Sequence, residues 1–272
     1  YERAKELVVL KRGQVCDTLP VADFLSRARI RDTATGAASA PLVIDVRAPC
    51  EYAKGHVPGA ISAPLFSDAE RAEVGTLYKQ QGHDVAVARG VRLIDRSWRA
   101  MLGALPTLAP GAEVLVYCKR GGMRSAGVGA LLAQSTDLRV RTLDGGCAPP
   151  ARSRRDPGAI SARSRRDLGA ISARRYSAFR AWANSTWALA RPLVVLAGRT
   201  GTGKTDVLRA LANDCGAQML DLEGLAEHRG SSFGALGMPS QPTNQQFENM
   251  LALRWASFSP SEPVYIEDES RL

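Results

Sequence analysis

The run Gly198-Arg-Thr-Gly-Thr-Gly203-Lys204-Thr205 constrains this chain more than any other feature. It fits the pattern G-x-x-x-x-G-K-[ST]. An apolar stretch, Pro192 to Ala197, leads into it, and a helix-like stretch, Lys204 to Ala212, leads out. The spacing therefore predicts a strand, a phosphate-wrapping turn and a helix. Gly198, Gly201 and Gly203 let backbone N–H groups face a phosphate, and the helix N-terminus adds the positive end of its dipole. Lys204 reaches terminal phosphates, and Thr205 can ligate Mg²⁺. Further on, Val264-Tyr-Ile-Glu267-Asp268-Glu269 reads as an apolar strand ending in acids. It is either a metal-holding strand end beside the phosphate loop or an exposed acidic one, and no metal ligand is assigned from it.

The first half of the chain follows the same alternation. Residues 17–30 read as a helix, capped by Asp17 or Thr18, with Pro20 at its start and Val21, Phe24, Leu25 and Ala28 on one stripe. Leu42-Val43-Ile44 and Val114-Leu115-Val116-Tyr117 are short apolar runs of the kind that fill buried parallel strands. A helix is expected from Ser125 to Gln134 and a third strand from Arg139 to Leu143. Strands alternating with helices predict an α/β domain with a parallel sheet.

Cys118 ends the second run and opens the loop Cys118-Lys-Arg-Gly-Gly-Met-Arg124-Ser125. Successive N–H groups of such a loop can form an anion nest. Those donors, the following helix and Arg124 favour thiolate over thiol. A thiolate beside an oxyanion site suits attack on sulfur, selenium or phosphorus in an anionic donor. The cysteines, Cys16, Cys50, Cys118, Cys147 and Cys215, are odd in number and contain no C-x-x-C pair. That points away from zinc and toward a reducing cytosol.

The charge is localised. Between Ala151 and Arg175, eight arginines and two aspartates supply +6 of the chain's formal +9. Residues 151–161 are repeated as residues 162–172, with only Pro157 and Leu168 differing. Two short polar copies cannot bury a core, so a disordered linker is expected. The other reading is a basic arm that contacts RNA through its phosphates. After it, Tyr176 to Ala190 reads as a helix with Phe179, Trp182, Ala183 and Trp187 near one face. The chain nowhere holds the unbroken apolar run of about 18 or more residues that a membrane-spanning helix needs.

The segment Ile44-Asp45-Val46-Arg47-Ala48-Pro49-Cys50-Glu51-Tyr52, continued by Gly55-His56-Val57-Pro58-Gly59-Ala60-Ile61, resembles the signature of rhodanese-like domains. In that family the cysteine loop carries sulfur as a persulfide, which implies Cys118 as the carrier. Asp45 and Arg47 would brace the loop, and the resemblance gives His56 no catalytic role. Four further segments extend the likeness: Gly75 to Gly82, Asp221 to Gly234, Gln246-Phe247-Glu248-Asn249 and Glu267-Asp268-Glu269-Ser270-Arg271. Together they resemble the tRNA 2-selenouridine synthases.

That resemblance implies an enzyme that replaces the sulfur of 2-thiouridine at the tRNA wobble position with selenium. The donor would be selenophosphate, and geranyl diphosphate would first alkylate the sulfur. The partners would be tRNA and an enzyme supplying selenophosphate, in the cytoplasm. Cys118, with Arg120 and Arg124 supporting the anion, would serve selenium transfer. Gly198, Gly201, Gly203, Lys204 and Thr205 would hold the diphosphate, with a nucleotide and Mg²⁺ as the second candidate occupant.

The expected plan is a rhodanese-like parallel-sheet domain over residues 1–147, a basic repeat linker over 148–175, and a partial P-loop NTPase-like α/β domain over 176–272. The family passes from the Gly145-Gly146 turn straight to the Tyr176 helix and continues beyond Arg271. An inserted repeat and a truncated second domain are therefore expected. Three alternatives stand beside this reading. One is a thiosulfate-type sulfurtransferase. Another is a cysteine phosphatase, suggested by five residues between Cys118 and Arg124. The third is an inactive remnant that binds tRNA or nucleotide.

Overall fold

Val114, Leu115 and Val116 are fully buried, as residues of a strand covered on both faces must be. They lie at the centre of a parallel sheet. The computed structural model describes residues 18–28, 41–119, 123–143, 175–199, 201–228 and 239–268. The expectations for Arg120, the glycine turns at 121–122 and 145–146, the repeat at 151–172, the segment 230–234 and the pair 270–271 lie outside them. The chain divides into two α/β units, Tyr1–Phe179 and Arg180–Leu272.

The first unit is ordered β1 (Thr18–Leu19), α1 (Val21–Arg27), β2 (Leu42–Asp45), α2 (Pro49–Lys54), β3 (Ile61–Ser62), α3 (Asp68–Gln80), α4 (His83–Gly103), β4 (Glu113–Tyr117), α5 (Met123–Ser135) and β5 (Arg139–Leu143). The sheet order is β1-β5-β4-β2-β3, with every neighbouring pair parallel. Asp45 at the end of β2 is in register with Tyr117 at the end of β4. That register brings the Asp45-x-Arg47 segment beside Cys118. The core joins Ile44, Val46, Leu65, Phe66, Val114, Val116, Val128 and Leu132.

Two local expectations change. The helix predicted over 17–30 is shorter, Val21–Arg27, because Thr18–Leu19 pairs with β5 as a strand. Its N-cap is Pro20, and no side chain caps it. The second difference is a helical hairpin, α3 and α4, that the apolar pattern does not announce. Ser67 and Glu70 start α3 with a reciprocal cap: Ser67 Oγ accepts from Glu70 N at 3.3 Å, and Glu70 Oε2 accepts from Ser67 N at 2.8 Å. Leu93 and Met101 of α4 enter the core, with Val74, Ile94 and Trp98 half-buried against it.

The helix α6 (Arg175–Thr186) begins in the first unit and runs into the second. Tyr176 and Phe179, read from sequence as the start of the P-loop region, fall with the first unit. The second unit continues with β6 (Leu193–Leu196), α7 (Lys204–Cys215), β7 (Gln218–Leu220), α8 (Leu222–Ala226), α9 (Asn244–Ser257) and β8 (Val264–Glu267). Its parallel sheet has the order β6-β8-β7. Leu220, Phe258 and Val264 form its buried centre. The apolar strand β6 pairs only with β8 among the described residues, and Leu193, Val194 and Val195 are each about half exposed there. No helix among the described residues is long and apolar enough to cross a membrane.

Candidate active site

In the first unit the site is built on the ends of β2 and β4. Asp45 and Arg47 form a buried pair: Arg47 Nε donates to Asp45 Oδ1 at 2.9 Å, and Nη2 donates to Oδ2 at 2.6 Å. Nη2 also donates to the Gly55 carbonyl at 2.7 Å, which ties the end of α2 to the sheet. Burial opposes the charge on Arg47, but the hydrogen bond and the carboxylate of Asp45 outweigh it and raise its pKa. The guanidinium lies 3.8 Å from the centre of the Tyr176 ring, which stacks in turn on Tyr117. The Tyr176 N–H donates to the Cys118 carbonyl at 3.0 Å. The strand end carrying Cys118 is thus held by an ion pair, two aromatic rings and a backbone bond. Tyr176 was missed by sequence reasoning, since nothing local links it to residues so far upstream.

Cys118 itself is fully buried, and Ser125 Oγ donates to its Sγ at 3.4 Å. It belongs to the buried cluster that includes Val46, Val116 and Val128, and the loop amides expected around it, from residues 120–122, lie outside the described residues. Arg120 lies outside the described residues. Arg124 is present and does not stand alone.

Glu51, on α2, gathers the cations. Its carboxylate is 7% exposed and meets Lys119 Nζ at 3.1 Å, Arg124 Nη1 at 3.3 Å and Arg71 Nη2 at 3.4 Å. Burial alone would raise its pKa, but Arg124 and Lys119 overcome that and hold it at about 2. Glu51 lies inside the Asp45 to Ile61 segment, and that was the available signal. Its three partners come from remote positions, which no local pattern reveals. The depressed pKa makes a prediction. The stabilisation is present above the usual carboxylate pKa of 4.5 and is lost as pH falls through about 2. Acid unfolding of Glu51→Gln should lack that part of the pH dependence, worth up to about 3 kcal/mol. Circular dichroism at fixed denaturant across this range measures it.

His56 stacks flat on Tyr52, with ring centres 3.8 Å apart, and its Nδ1 lies 3.1 Å from the Tyr52 carbonyl oxygen. Burial lowers its pKa. This is a packed histidine at the end of α2, and no substrate-facing role is assigned to it.

The second unit holds the phosphate loop. Gly201 and Gly203 have φ of +81° and +78°, the left-handed region that glycine occupies at low cost. A side chain on Gly198 would come within 3.1 Å of Thr202 Oγ1 and 3.4 Å of Lys204 Cδ. Lys204 Nζ donates to the Gly198 carbonyl at 2.8 Å and pairs with Glu267 Oε1 at 3.3 Å. Thr205 Oγ1 donates to Glu267 Oε2 at 2.7 Å. Glu267 ends β8, in register with Leu196 at the end of β6. The strand pairing therefore delivers the acid that follows the apolar run Val264–Ile266 to the loop's lysine and threonine. Hydroxyl and carboxylate oxygens are hard donors, so Thr205 and Glu267 fit Mg²⁺.

Comparison with known proteins finds two family matches. Residues 31–149 match the rhodanese-like domain family, and residues 191–272 match the tRNA 2-selenouridine synthase AAA domain. The tRNA 2-selenouridine synthase of Nitrosomonas europaea is 35% identical over 247 residues, covering 88% of this chain and 55% of that protein. That of Bordetella bronchiseptica is 41% identical over 227 residues, covering 79% of this chain and 50% of that protein. That of Salmonella schwarzengrund is 36% identical over 247 residues, with coverage of 86% and 56%. The chain spans about half the length of these relatives.

Proposed function

We propose, on the premise that this chain is a two-domain relative of the tRNA 2-selenouridine synthases, that it exchanges the sulfur of wobble 2-thiouridine in tRNA for selenium. On this reading residues 1–147 are the rhodanese-like domain, 148–175 a linker and 176–272 the P-loop domain. The carrying observation is the pairing, in one chain, of a strand-end cysteine, whose following loop carries Lys119 and Arg124 onto Glu51, with a glycine-rich turn whose Lys204 and Thr205 meet Glu267. Each fits one of two anionic donors.

The phosphate loop takes geranyl diphosphate. Its glycine backbone and Lys204 cradle the diphosphate. The thiouridine sulfur then attacks the allylic carbon, and diphosphate leaves with the bonding pair. When Mg²⁺ is bound there, held by Thr205 and Glu267, it supplies charge neutralisation for the leaving diphosphate. A nucleotide is the competing occupant of the same loop.

Selenophosphate is used in the first unit, at Cys118, with Arg124 and Arg120 supporting its anionic group. The Cys118 thiolate attacks phosphorus and the P–Se bond breaks, with hydroselenide leaving; hydroselenide displaces geranyl thiol from the base, and water hydrolyses the phosphorylated Cys118 to phosphate and free thiol. The reaction runs in the cytoplasm, and another enzyme supplies the selenophosphate.

The test uses 2-thiouridine tRNA, both donors and mass analysis of the nucleosides. Lys204→Ala should slow geranyl transfer about a hundredfold, the worth of one strong charge-assisted contact. Selenium exchange on tRNA already geranylated should persist in that variant. Equal loss of both steps would contradict the assignment of the loop. The rhodanese-like match favours one competing activity, thiosulfate sulfurtransfer. Sulfur transfer from thiosulfate to cyanide, insensitive to tRNA, would support it instead.

A further inference from the structure

Three cations from three parts of the first unit converge on one buried carboxylate. Arg71 comes from α3, Lys119 follows β4 and Arg124 lies in the first turn of α5. Their side chains are 42%, 40% and 22% exposed, whereas Glu51 is 7% exposed. The negative group is thus inside and the positive groups reach toward solvent. Neutralising one carboxylate takes one cation. Gathering three places like charges together at a cost, and the cluster keeps an excess of two positive charges. The contact with Glu51 engages one nitrogen of each guanidinium, and a guanidinium carries five N–H donors in a planar fork. Such a fork matches a phosphate-type anion bidentately.

The geometry points to Arg71 as a specificity-determining residue, the third cation of an oxyanion subsite that includes Lys119, the residue after Cys118. Glu51 is its positioning residue, holding Arg71 together with Lys119 and Arg124. The excess of two charges selects a dianion of the phosphate type. This rests on the reading of Cys118 as the selenophosphate site. It assigns a role to Arg71 on α3, a residue that lies outside the Ile44 to Ile61 signature and before the Gly75 to Gly82 segment. A free anion and the tRNA backbone present the same chemistry, so the test separates them.

The experiment uses the full chain and Arg71→Gln. It measures kcat and KM for selenophosphate, KM for geranylated tRNA, and binding of inorganic phosphate by calorimetry. Arg71→Gln should raise the selenophosphate KM about tenfold, equivalent to roughly 1.4 kcal/mol. The kcat and tRNA KM should stay within about twofold, and phosphate binding should weaken by the same factor as KM. Glu51→Gln should raise the selenophosphate KM in the same way, and Glu51→Asp should recover part of it. A purely structural pair would instead lower the melting temperature and leave KM unchanged. A rise in the tRNA KM alone would show that Arg71 holds the nucleic acid backbone, and would overturn the assignment. If wild type forms selenouridine and Arg71→Gln matches it in KM and phosphate affinity, the inference fails and the functional reading stands. If wild type forms no selenouridine while Arg71→Gln weakens phosphate binding, the subsite stands and the functional reading fails.

Discussion

Replacing Cys118 by alanine should leave tRNA carrying geranylated 2-thiouridine and no selenouridine. The substitution removes the sulfur and little else. Cys118 sits in a buried apolar cluster, and alanine is smaller by one sulfur atom, so the void it leaves is worth roughly 1 kcal/mol. The Lys119, Arg124 and Arg71 cluster keeps its anchor on Glu51. The phosphate loop belongs to the other unit and keeps its own contacts. Selenium exchange should fall about a thousandfold or more, as expected when a nucleophile is deleted, while geranyl transfer stays within about twofold. Nucleoside mass analysis of both products measures this, with a melting curve to confirm the fold. Loss of neither activity would remove Cys118 from the chemistry.

Asp45→Ala should unfold the first unit at a much lower temperature. Asp45 and Arg47 are 0% and 2% exposed, and the backbone N, Nε and Nη2 of Arg47 all donate to the Asp45 carboxylate. Removing the carboxylate leaves the Arg47 charge buried without its counter-ion. Breaking such a pair costs about 3–5 kcal/mol. In a unit of this size that is a fall of roughly 10–20 °C. Thermal denaturation followed by circular dichroism tests it. The double variant Asp45→Leu with Arg47→Met should recover part of the loss, because no charge then remains unpaired. If Asp45→Ala melts within a few degrees of wild type, the pair does not hold the strand ends.

The strands of the first sheet were legible because a parallel strand covered on both faces reads as an unbroken apolar run, as Leu42–Ile44 and Val114–Tyr117 do. The phosphate loop was legible because its glycines answer a fixed backbone demand: Gly201 and Gly203 at positive φ, Gly198 where a side chain has no room. The α3–α4 hairpin was harder. Its faces are only half-buried, which dilutes the helical period, although the Ser67–Glu70 cap is a readable start. Strand β6 shows the opposite failure, since an apolar run looks the same whether its faces are covered or not.

The cation cluster was out of reach for a different reason. Glu51 meets Arg71 and Arg124 across 20 and 73 residues, and no local period encodes such a meeting. Tyr176 read as the first residue of a new domain, yet its ring is sandwiched against Tyr117 and the Arg47 guanidinium. In both cases the fold creates the neighbourhood, and side-chain chemistry alone does not announce it.

One time course probes the joint use of both anion sites on a single base. The protein is incubated with 2-thiouridine tRNA and geranyl diphosphate, then selenophosphate is added, and nucleosides are weighed at each time. Geranylated 2-thiouridine should accumulate first and then convert to 2-selenouridine with release of geranyl thiol. Selenouridine formed equally fast without geranyl diphosphate, or a geranylated base that selenophosphate never consumes, would contradict the account.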